Sequence, residues 1–346
     1  MTFFESFEDL IQRVCALMAA FTNIFLLHLI LNKSPPKFGA YKYLMIYTSV
    51  FEIIYAVVDV LITPKLVNRG SAYLIIIDGD KSILPHWAIP HLTVFYCSAF
   101  GIAMAIFAVH FIFRYLVVIG NITWTSKAIS KLFVWLIAPV LCGLVVTVVC
   151  AVFWTPNDTM DAYFSRNPLK DFHIDTNQDY YVGLYFYPTD ASGKQIVNWR
   201  SITGTVILFC IVSTSSFIMF YFGVKCYKAL SNLTSMSSHV SAKSRSIQNQ
   251  LFYALVVQTF IPLALMHVPG SALFLSCFAD ASFPVLGKIW SVTIAMYPAI
   301  DPLPNMFIIA AYRDAIIGYF SVFRREKDSV QSVEMSVAAT QNEVPS

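Results

Sequence analysis

Three acidic side chains, Glu52, Asp59 and Asp301, interrupt stretches that are otherwise apolar. Glu52 and Asp59 are seven residues apart, so in a helix both point to one face, about 10 Å apart along the axis. Neither stretch, 43–64 or 289–312, contains a lysine or arginine. Because an unpaired charge in apolar surroundings costs several kcal/mol, these acids must be protonated, hydrated or share a cation. They form either a buried polar network that couples the two stretches or separate neutral groups with local hydrogen bonds.

Other residues with catalytic or metal-binding potential form no recognisable pattern. There is no GxSxG or HExxH motif, no CxxC pair among the seven cysteines and no Cys/His cluster at metal spacing. The sequence therefore predicts no enzyme, no metal and no other cofactor. Five scattered histidines are interpreted as packing or interface residues: His28, His86, His91, His110 and His267.

The composition excludes a water-soluble domain and a nucleic-acid-binding protein. Of the 346 residues, 57% are hydrophobic and only 12% are charged, whereas about 25% are charged in a typical soluble domain. The formal net charge of +3 is far from the concentrated positive charge that a nucleic-acid groove needs. The chain is therefore predicted to be an integral membrane protein.

Gaps between charged residues predict five membrane spans, and two more follow if the acids within 43–64 and 289–312 are tolerated, which makes seven. A spanning helix needs about 20 apolar residues, and these runs are too long and continuous for the strands of a membrane barrel. The fold class is therefore an all-α membrane protein, a seven-transmembrane helix bundle. Its predicted spans are 14–32, 43–64, 82–113, 132–157, 201–224, 246–279 and 289–312.

Basic residues predict the orientation, because cytoplasmic loops are enriched in lysine and arginine. The loops after spans 1, 3 and 5 are basic and hold no acid, whereas the start of the chain is acidic and the loop 154–200 has six aspartates. The N-terminus is thus predicted outside, with the first span as its own insertion signal. The sequon at Asn157 falls on the outer side and is a candidate glycosylation site. The basic residues of the inner loops are Lys33, Lys37, Lys42, Arg114, Lys127, Lys131, Lys225, Lys228, Lys243 and Arg245.

Three regions follow from these patterns: a seven-transmembrane domain over 1–313 with its N-terminus outside, an interfacial amphipathic helix over 314–327, and a disordered cytoplasmic tail over 328–346. The interfacial helix is predicted from an apolar stripe followed by two arginines. The stripe consists of Ala315, Ile316, Tyr319, Phe320 and Phe323.

Several motifs resemble the Str-type serpentine chemoreceptors of nematodes, a family of G-protein-coupled receptors. The similarity begins with residues 38–43 and continues through FEIIY with Asp59, FYC at 95–97 and HFIFRY at 110–115. It extends to NPLKDF at 167–172, YVGLYFYPTD at 181–190, QNQLFYALVVQ at 248–258 and the segment 297–312. The resemblance covers about residues 37 to 313.

The resemblance implies an olfactory-type chemosensory receptor. Such a receptor binds a small external cue, with a volatile odorant as the family-level expectation, and activates a heterotrimeric G protein. It implies a multi-pass protein of the plasma membrane with an extracellular N-terminus, placed in a sensory cilium. Partners are then the G protein, the cue and the lipid bilayer.

Departures from rhodopsin-like receptors concern a disulfide and two activation motifs. The loop 154–200 contains no cysteine, so no bridge from span 3 to this loop is expected. Phe113 rather than an acid precedes Arg114, so any restraint on this arginine requires another polar partner. Asp301 and Pro302 stand in place of the usual Asn and Pro, and Asn305 stands where Tyr is expected.

Arg114 has two interpretations. At the end of span 3 it could snorkel to lipid phosphates as a topology anchor, or reach a bound partner through its five donors. The resemblance favours the second, with Arg114 and Tyr115 facing the G protein when the inner ends of the helices separate. Four further cations contribute either to that surface or only to topology: Lys225, Lys228, Lys243 and Arg245.

The ligand pocket is predicted about four to five helical turns outward from Arg114. There Tyr96, Phe100 and Met104 share a helix face, and aromatic and methionine stripes are as often packing as ligand wall. Five residues of spans 6 and 7 at comparable depth could close a mostly apolar cavity with a few polar groups: Met266, His267, Trp290, Thr293 and Tyr297.

Pro262 and Pro269 are predicted to bend span 6, because each lacks an N–H and clashes with the preceding turn. The bends suit either a helix that swings outward or a purely structural role.

Rival functions are a seven-helix ligand-gated ion channel, a transporter and an intramembrane enzyme. A channel of the insect odorant-receptor kind has its N-terminus inside, which the basic loops oppose. The chain shows no internal repeat of the transporter type.

Overall fold

A computed structural model of the chain describes residues 3–79, 82–161, 180–190, 193–235, 241–281 and 283–321. Six helices are each long and apolar enough to cross a bilayer, and a bent helix pair at the end supplies the seventh span. The prediction of a seven-helix bundle is confirmed. The spans are α1 Phe3–Lys33, α2 Tyr41–Ile62, α3 Ala88–Val118, α4 Ile129–Phe153, α5 Trp199–Ser235, α6 Ala242–Phe278 and α7 Pro284–Ile308.

Several helix ends differ from the predicted spans. The third helix begins at Ala88 rather than at residue 82. Residues 82–87 carry no charge but form bends and a turn around Pro85, so the gap between charges did not mark the start of the helix. It also continues to Val118, which places Arg114 one turn inside the helix. The fifth helix continues to Ser235, since charged residues such as Lys228 end the apolar run without ending the helix.

The third helix is the centre of the bundle. In its most apolar window 67% of residues are buried, compared with 11% for α5. This burial arises from packing, because α3 contacts α2, α4, α5 and α6. Side chains projecting from α3 can therefore contact most other spans.

A three-stranded antiparallel sheet lies at the end of the bundle that the basic loops predict to face outside, called the outer end below, and the opposite end is called the inner end. It contains the hairpin β1 Lys65–Arg69 and β2 Ala72–Ile77, followed by β3 Tyr180–Tyr185 from the long outer loop. Gly70 takes the left-handed backbone conformation that the hairpin turn requires, with φ of 56°. The sequence analysis did not predict this sheet, because all three strands lie between the spans that it counted.

The sheet is attached to α6 and α7. Asn68 donates to Cys277 Sγ at 3.3 Å and to Ser276 Oγ, and its own oxygen accepts from the Phe283 N–H at 3.4 Å. A side chain at Gly287 would lie 2.2 Å from the Leu66 carbonyl oxygen, so α7 approaches β1 closely.

The strand β3 of the long loop is held without a disulfide. The seven cysteines all lie in described residues and all are free thiols. The loop strand is held instead by its full antiparallel register with β2 and by the bond from Gly183 N–H to the Trp154 carbonyl oxygen at 2.8 Å. Burial, followed by the hydrogen bond to Asp161, raises the pKa of the Tyr181 hydroxyl well above its usual value. The hydroxyl therefore keeps its proton and donates it to Asp161 at 2.6 Å.

Gly183→Ala is expected to lower the melting temperature of the purified protein measurably. An added Cβ at Gly183 would lie 2.3 Å from the Tyr73 carbonyl oxygen and 2.7 Å from a Leu74 methyl group, and such overpacking typically costs about 1–3 kcal/mol. The matched control is Gly318→Ala, where nothing lies within 4 Å. Equal melting temperatures for the two variants would contradict the close packing of the sheet.

The chain turns sharply after α7 into a further helix, α8, over Ala310–Ser321, at 94° to α7. It docks on the inner end of α1, where the His28 ring and the Tyr319 hydroxyl lie 3.1 Å apart. Ala315 and Ile316 of the predicted stripe pack against the inner core, and Phe320 is exposed. Residues 322–327 of the predicted helix and the predicted tail 328–346 lie outside the described residues, and the location of α8 along the membrane surface stays a prediction.

Candidate functional site

A buried polar cluster joins α1, α2 and α7 in the middle of the bundle. Glu52 and Asp301 are 1% and 0% exposed, and Glu52 is within hydrogen-bonding reach of Asp301, Asn23 and Tyr297. Asn23 donates to the Pro298 carbonyl oxygen at 2.9 Å. The seven-residue spacing on α2 and the bend of α7 thus bring Glu52 and Asp301 into one site.

Two amides extend this cluster to α6. Gln258 donates to Asp301, and Asn305 donates to the Gln258 oxygen at 3.1 Å. All three residues are buried. A side chain of α6 is therefore hydrogen-bonded to α7 at membrane depth, and any displacement of α6 relative to α7 must break this contact.

The two carboxyl groups have no basic neighbour within the cluster, whose other named members are amides and a phenol. Two adjacent carboxylates cannot both be ionised at low cost, so the pair must share a proton or a cation. One oxygen of each carboxyl group and the Asn23 oxygen have no hydrogen-bond partner in the described part of the chain. The cluster is consequently sensitive to small changes in geometry.

Asp59 lies apart from this pair, about two helical turns closer to the outer end of α2. It is 3% exposed and is within hydrogen-bonding reach of Tyr96, whose ring stacks on Tyr55 at 5.3 Å. The structure thus separates the three acids that the sequence analysis grouped: Glu52 contacts Asp301, whereas Asp59 contacts Tyr96 of α3.

Arg114 is held inside the inner end of the bundle. Its guanidinium is 1% exposed and its Nη2 donates to the Gln248 side-chain oxygen at 2.7 Å and to the Gln248 carbonyl oxygen at 2.9 Å. The guanidinium also lies over the Tyr41 ring at 5.0 Å. Arg114 therefore connects α3 to α6 and α2 and does not extend to the membrane surface.

His110 links α3 to α2, one helical turn from Arg114 toward the middle of the bundle. Thr48 donates its hydroxyl proton to the Leu44 carbonyl oxygen at 3.1 Å, so at the His110 Nε2 contact of 3.0 Å Thr48 accepts. His110 Nδ1 then accepts from the Tyr41 hydroxyl at 3.1 Å. This bond fixes the Tyr41 ring beneath the Arg114 guanidinium, in agreement with a structural role for His110.

The other inner cations are mostly exposed. Lys225 lies over the Tyr221 and Tyr115 rings at 4.5 and 5.6 Å, and Lys228 and Lys243 face outward from α5 and α6. Arg245 is half-buried on α6, three residues before Gln248. These side chains lie around the buried Arg114 at the inner ends of α3, α5 and α6.

The two prolines of α6 flank an irregular turn. Residues Leu263–His267 form a π-helical turn directly after Pro262 and before Pro269. Single π-helical turns within α-helices are rare and frequently lie at functional sites. Pro302 follows Asp301 and lies where α7 is interrupted between Ile300 and Leu303. Their role in movement stays a prediction.

The predicted ligand residues divide into two groups. Four of them, Tyr96, Met266, Trp290 and Tyr297, are buried in the outer core beneath the sheet. Thr293 is half-buried and donates to the Trp290 carbonyl oxygen at 3.1 Å.

Met104 and His267 instead line a cavity between α3, α5 and α6. Phe100 joins the two groups, because its ring lies 4.6 Å from the His267 ring. Met104 belongs to the inner packing cluster around Phe107, so it does not act together with Tyr96.

Asn157 caps the short helical turn that follows α4. Its side-chain oxygen accepts from the Met160 N–H at 3.3 Å and its amide donates to the Thr155 carbonyl oxygen at 3.2 Å. Its glycosylation stays a prediction.

Comparison with known proteins identifies the family. The family profile described as "Serpentine type 7TM GPCR chemoreceptor Str" matches residues 8–317, most of the chain. The chain belongs to this family. The Str receptor described here is 31% identical over 317 residues to "G-protein coupled receptor str-217" of Caenorhabditis elegans, with 90% of each chain covered.

A second relative is similar over most of the chain, and a solved structure has a similar fold. "Serpentine receptor class r-10" of Caenorhabditis briggsae is 26% identical over 329 residues, which cover 93% of this Str receptor and 92% of the relative. The crystal structure of squid rhodopsin superimposes with a TM-score of 0.64 at 12% identity, covering 92% of this chain and 86% of that one. The likeness to squid rhodopsin supports the seven-helix fold alone.

Sequence reasoning missed several residues of this Str receptor's polar sites. Gln248 and Gln258 were read only as part of a motif, and Asn23 and Tyr41 were not singled out. Their common signal is an uncharged polar side chain within or beside an apolar span, which needs a partner because the bilayer offers none. Because these side chains carry no charge, gaps between charged residues did not reveal them.

Proposed function

We propose that this Str receptor is an olfactory-type chemosensory receptor that binds a small external cue within the helix bundle and activates a heterotrimeric G protein. The observation that carries the proposal is the bond from buried Arg114 to Gln248. It joins α3 to α6 at the inner end, where an intracellular partner could be admitted or excluded.

The proposed mechanism is a displacement of α6. Outward movement of its inner end breaks the contact from Arg114 to Gln248 and frees the guanidinium, which presents five donors in a rigid fork. Arg114 and Tyr115 then face the opened cleft, and the exposed cations of α5 and α6 flank it. A G protein with carbonyl or carboxylate groups at its contact segment fits this surface.

The polar cluster in the middle of the bundle supports coupling between the cue and this cleft. Gln258 of α6 is bonded to Asp301, which lies beside Glu52 of α2. A cue that shifts α6 or α7 in the outer half alters this cluster first. The breaks in the two helices, at the π turn and at Pro302, lie within two turns of it.

The basic inner loops support an orientation with the N-terminus outside and the Arg114 cleft in the cytosol. A location in the plasma membrane of a sensory cilium follows from the family's role as chemoreceptors. The alternative of a ligand-gated ion channel requires the opposite orientation if it is of the insect odorant-receptor kind, and serves as one outcome of the test.

Arg114→Ala is expected to abolish cue-dependent signalling while the protein stays at the cell surface. The assay expresses the full chain with an N-terminal tag in cells that carry a promiscuous G protein, and records calcium release during a screen of small volatiles. The matched control is Lys127→Ala, an exposed cation in the loop after α3 that lies outside the set proposed to face the G protein, and it is expected to signal within about twofold of the unaltered chain.

Three outcomes would contradict the proposal. The tag could be inaccessible on intact cells, a cue could evoke current without any G protein, or Arg114→Ala could signal as well as Lys127→Ala. The first overturns the orientation, the second favours the channel, and the third removes Arg114 from the coupling surface.

A further inference from the structure

A cavity of about 500 Å³ lies between α3, α5 and α6. This volume is within the range of ligand sites, about 300–1,000 Å³. Its wall is almost entirely apolar and runs along α6 from Phe252 to His267. Other parts of the wall are Met104, Phe107 and Phe111 on α3 and Met219, Phe220 and Tyr227 on α5.

The cavity opens sideways toward the lipid. Several wall residues are strongly exposed on the outside of the bundle, among them Phe220 at 74%, Phe260 at 62% and Tyr227 at 55%. In a membrane these faces contact acyl chains. An apolar molecule dissolved in the bilayer can therefore enter between α5 and α6 without crossing water.

The route from the outer solution is closed in this structure. The sheet covers the outer end of the bundle, and the Tyr73 ring of β2 packs on Trp154, Phe274 and Trp290 at 5.2 to 6.4 Å between ring centroids. These large rings occupy the space that a water-borne ligand would have to pass. The lateral opening thus favours a ligand that dissolves in the bilayer over one that arrives through water.

Tyr227 and Tyr253 also line the wall but are half exposed to the outside of the bundle, and deeper in the cavity one polar group is available to a ligand, the imidazole of His267. The hydroxyls of Ser216 and Thr259 donate to the carbonyl oxygens of Val212 and Leu255 in their own helices, at 2.9 and 2.8 Å. The His267 ring touches Phe100 but has no hydrogen-bond partner within the described residues. A half-buried imidazole without a partner gains a hydrogen bond when a carbonyl or hydroxyl group enters.

The depth of His267 argues against a membrane phospholipid as the occupant. His267 is eleven residues from Phe278 at the outer end of α6, about 16 Å along the helix, and still further from the inner end. A charged headgroup would have to leave the interface to reach it, at a cost of several kcal/mol. A single hydroxyl or carbonyl group carries a much smaller penalty.

We propose that this cavity binds an elongated aliphatic molecule with one hydroxyl or carbonyl group, which enters from the bilayer and hydrogen-bonds to His267. The inference rests on the proposed function, and it names the chemical class of the cue and the route by which it arrives. The aliphatic part lies against Phe111 and Phe252, and the polar group lies at the π turn of α6. An occupant therefore holds α5 and α6 apart, and the inner ends of these two helices flank Arg114.

The experiment uses the full chain in phosphatidylcholine vesicles and a medium-chain fatty alcohol that carries a mid-chain diazirine and a terminal alkyne. After illumination, labelled residues are mapped by mass spectrometry, with and without excess unlabelled alcohol. We expect saturable labelling of cavity residues on α5 and α6 that the unlabelled alcohol removes.

Paired variants make the test specific. Val256→Phe fills the cavity, because Val256 lines it, whereas Val257→Phe places the same ring on the adjacent, exposed position outside it. We expect the first to reduce labelling about tenfold and the second to leave it unchanged. His267→Phe should weaken competition by the alcohol about tenfold, and His267→Gln, which keeps a hydrogen-bonding group, should restore most of it.

Equal labelling of the two valine variants, unsaturable labelling of all lipid-facing helices, or labelling confined to Tyr96 and Tyr297 would overturn the inference. Nucleotide exchange on an added G protein, measured in the same vesicles, separates this inference from the proposed function. Saturable cavity labelling without nucleotide exchange supports the site and contradicts the receptor function. Alcohol-driven exchange with labelling outside the cavity supports the receptor function and contradicts the site.

Discussion

Replacing Gln248 by leucine is expected to raise signalling in the absence of any cue by about tenfold or more. Gln248 supplies the side-chain acceptor for the buried guanidinium of Arg114, at 2.7 Å. A hydrogen bond to a charged group contributes about 1.5–3 kcal/mol, which corresponds to about a ten- to hundredfold shift in a two-state equilibrium. Because leucine cannot accept a hydrogen bond, the closed arrangement of α3 and α6 loses that contribution.

The buried arginine adds to this effect. Its Nε has no partner in the described part of the chain, so the guanidinium is incompletely satisfied even with Gln248 present. Without the glutamine oxygen, its remaining contacts are the Gln248 backbone carbonyl and the Tyr41 ring. The open arrangement, in which water or a partner reaches Arg114, becomes favoured.

Calcium release without a cue, divided by the amount of protein at the surface, measures the effect. Asn249→Leu is the matched control, because it makes the same kind of change one residue further along α6, away from Arg114. We expect Asn249→Leu to signal at the basal level of the unaltered chain. An unchanged basal signal for Gln248→Leu would show that this contact does not restrain the resting state.

Replacing Asp301 by leucine is expected to remove most of the protein from the cell surface. Gln258 and Glu52 then lose their shared partner together, and a buried polar group left without a partner costs about 1–3 kcal/mol. For the two partners together the loss is about 2–6 kcal/mol. This is a large fraction of the 5–15 kcal/mol by which a typical protein is stable.

Asp301→Asn is the matched control for folding. Asparagine keeps the size and one oxygen acceptor, so surface expression should stay within about twofold of the unaltered chain. Signalling should nevertheless change, because the pair with Glu52 no longer shares a proton or cation. Normal surface levels of Asp301→Leu, measured with an N-terminal tag, would contradict the structural importance of the cluster.

A double-mutant cycle separates coupling from local effects. Glu52→Gln and Asp301→Asn are expected to be non-additive in cue response, because the two side chains interact. Asp59→Asn and Asp301→Asn are expected to be additive, since Asp59 lies with Tyr96 instead. A Glu52→Gln variant with unchanged cue response and surface expression would exclude the coupling role.

Much of the fold could be predicted from the sequence. A helix that crosses a bilayer must be apolar over about 20 residues and must bond its own backbone, so charge gaps identified five spans and identified the other two once their three acids were tolerated. Helix ends were less accurate, as at Ala88 and Ser235, because the membrane limits the apolar run and not the helix. The sheet was missed because its strands lie outside the bilayer, where that constraint does not hold.

The sites could be predicted only in part. The cost of a charge in apolar surroundings marked Glu52, Asp301 and Arg114 as residues that need a partner, but it did not identify the partners. Gln258 and Gln248 are uncharged and ten residues apart on α6, and nothing in their local sequence indicates which one meets an acid and which an arginine.

The sequence by itself determined the class of the protein, its number of spans, its buried acids and the family motifs, because each depends on residue type and local spacing. Only the tertiary structure decided that Glu52 pairs with Asp301 and not with Asp59, that Gln248 holds Arg114, and that Met104 and His267 line a lateral cavity. These contacts join residues up to about 250 positions apart. They depend on how the helices rotate and pack against one another, which the spacing along one chain does not specify.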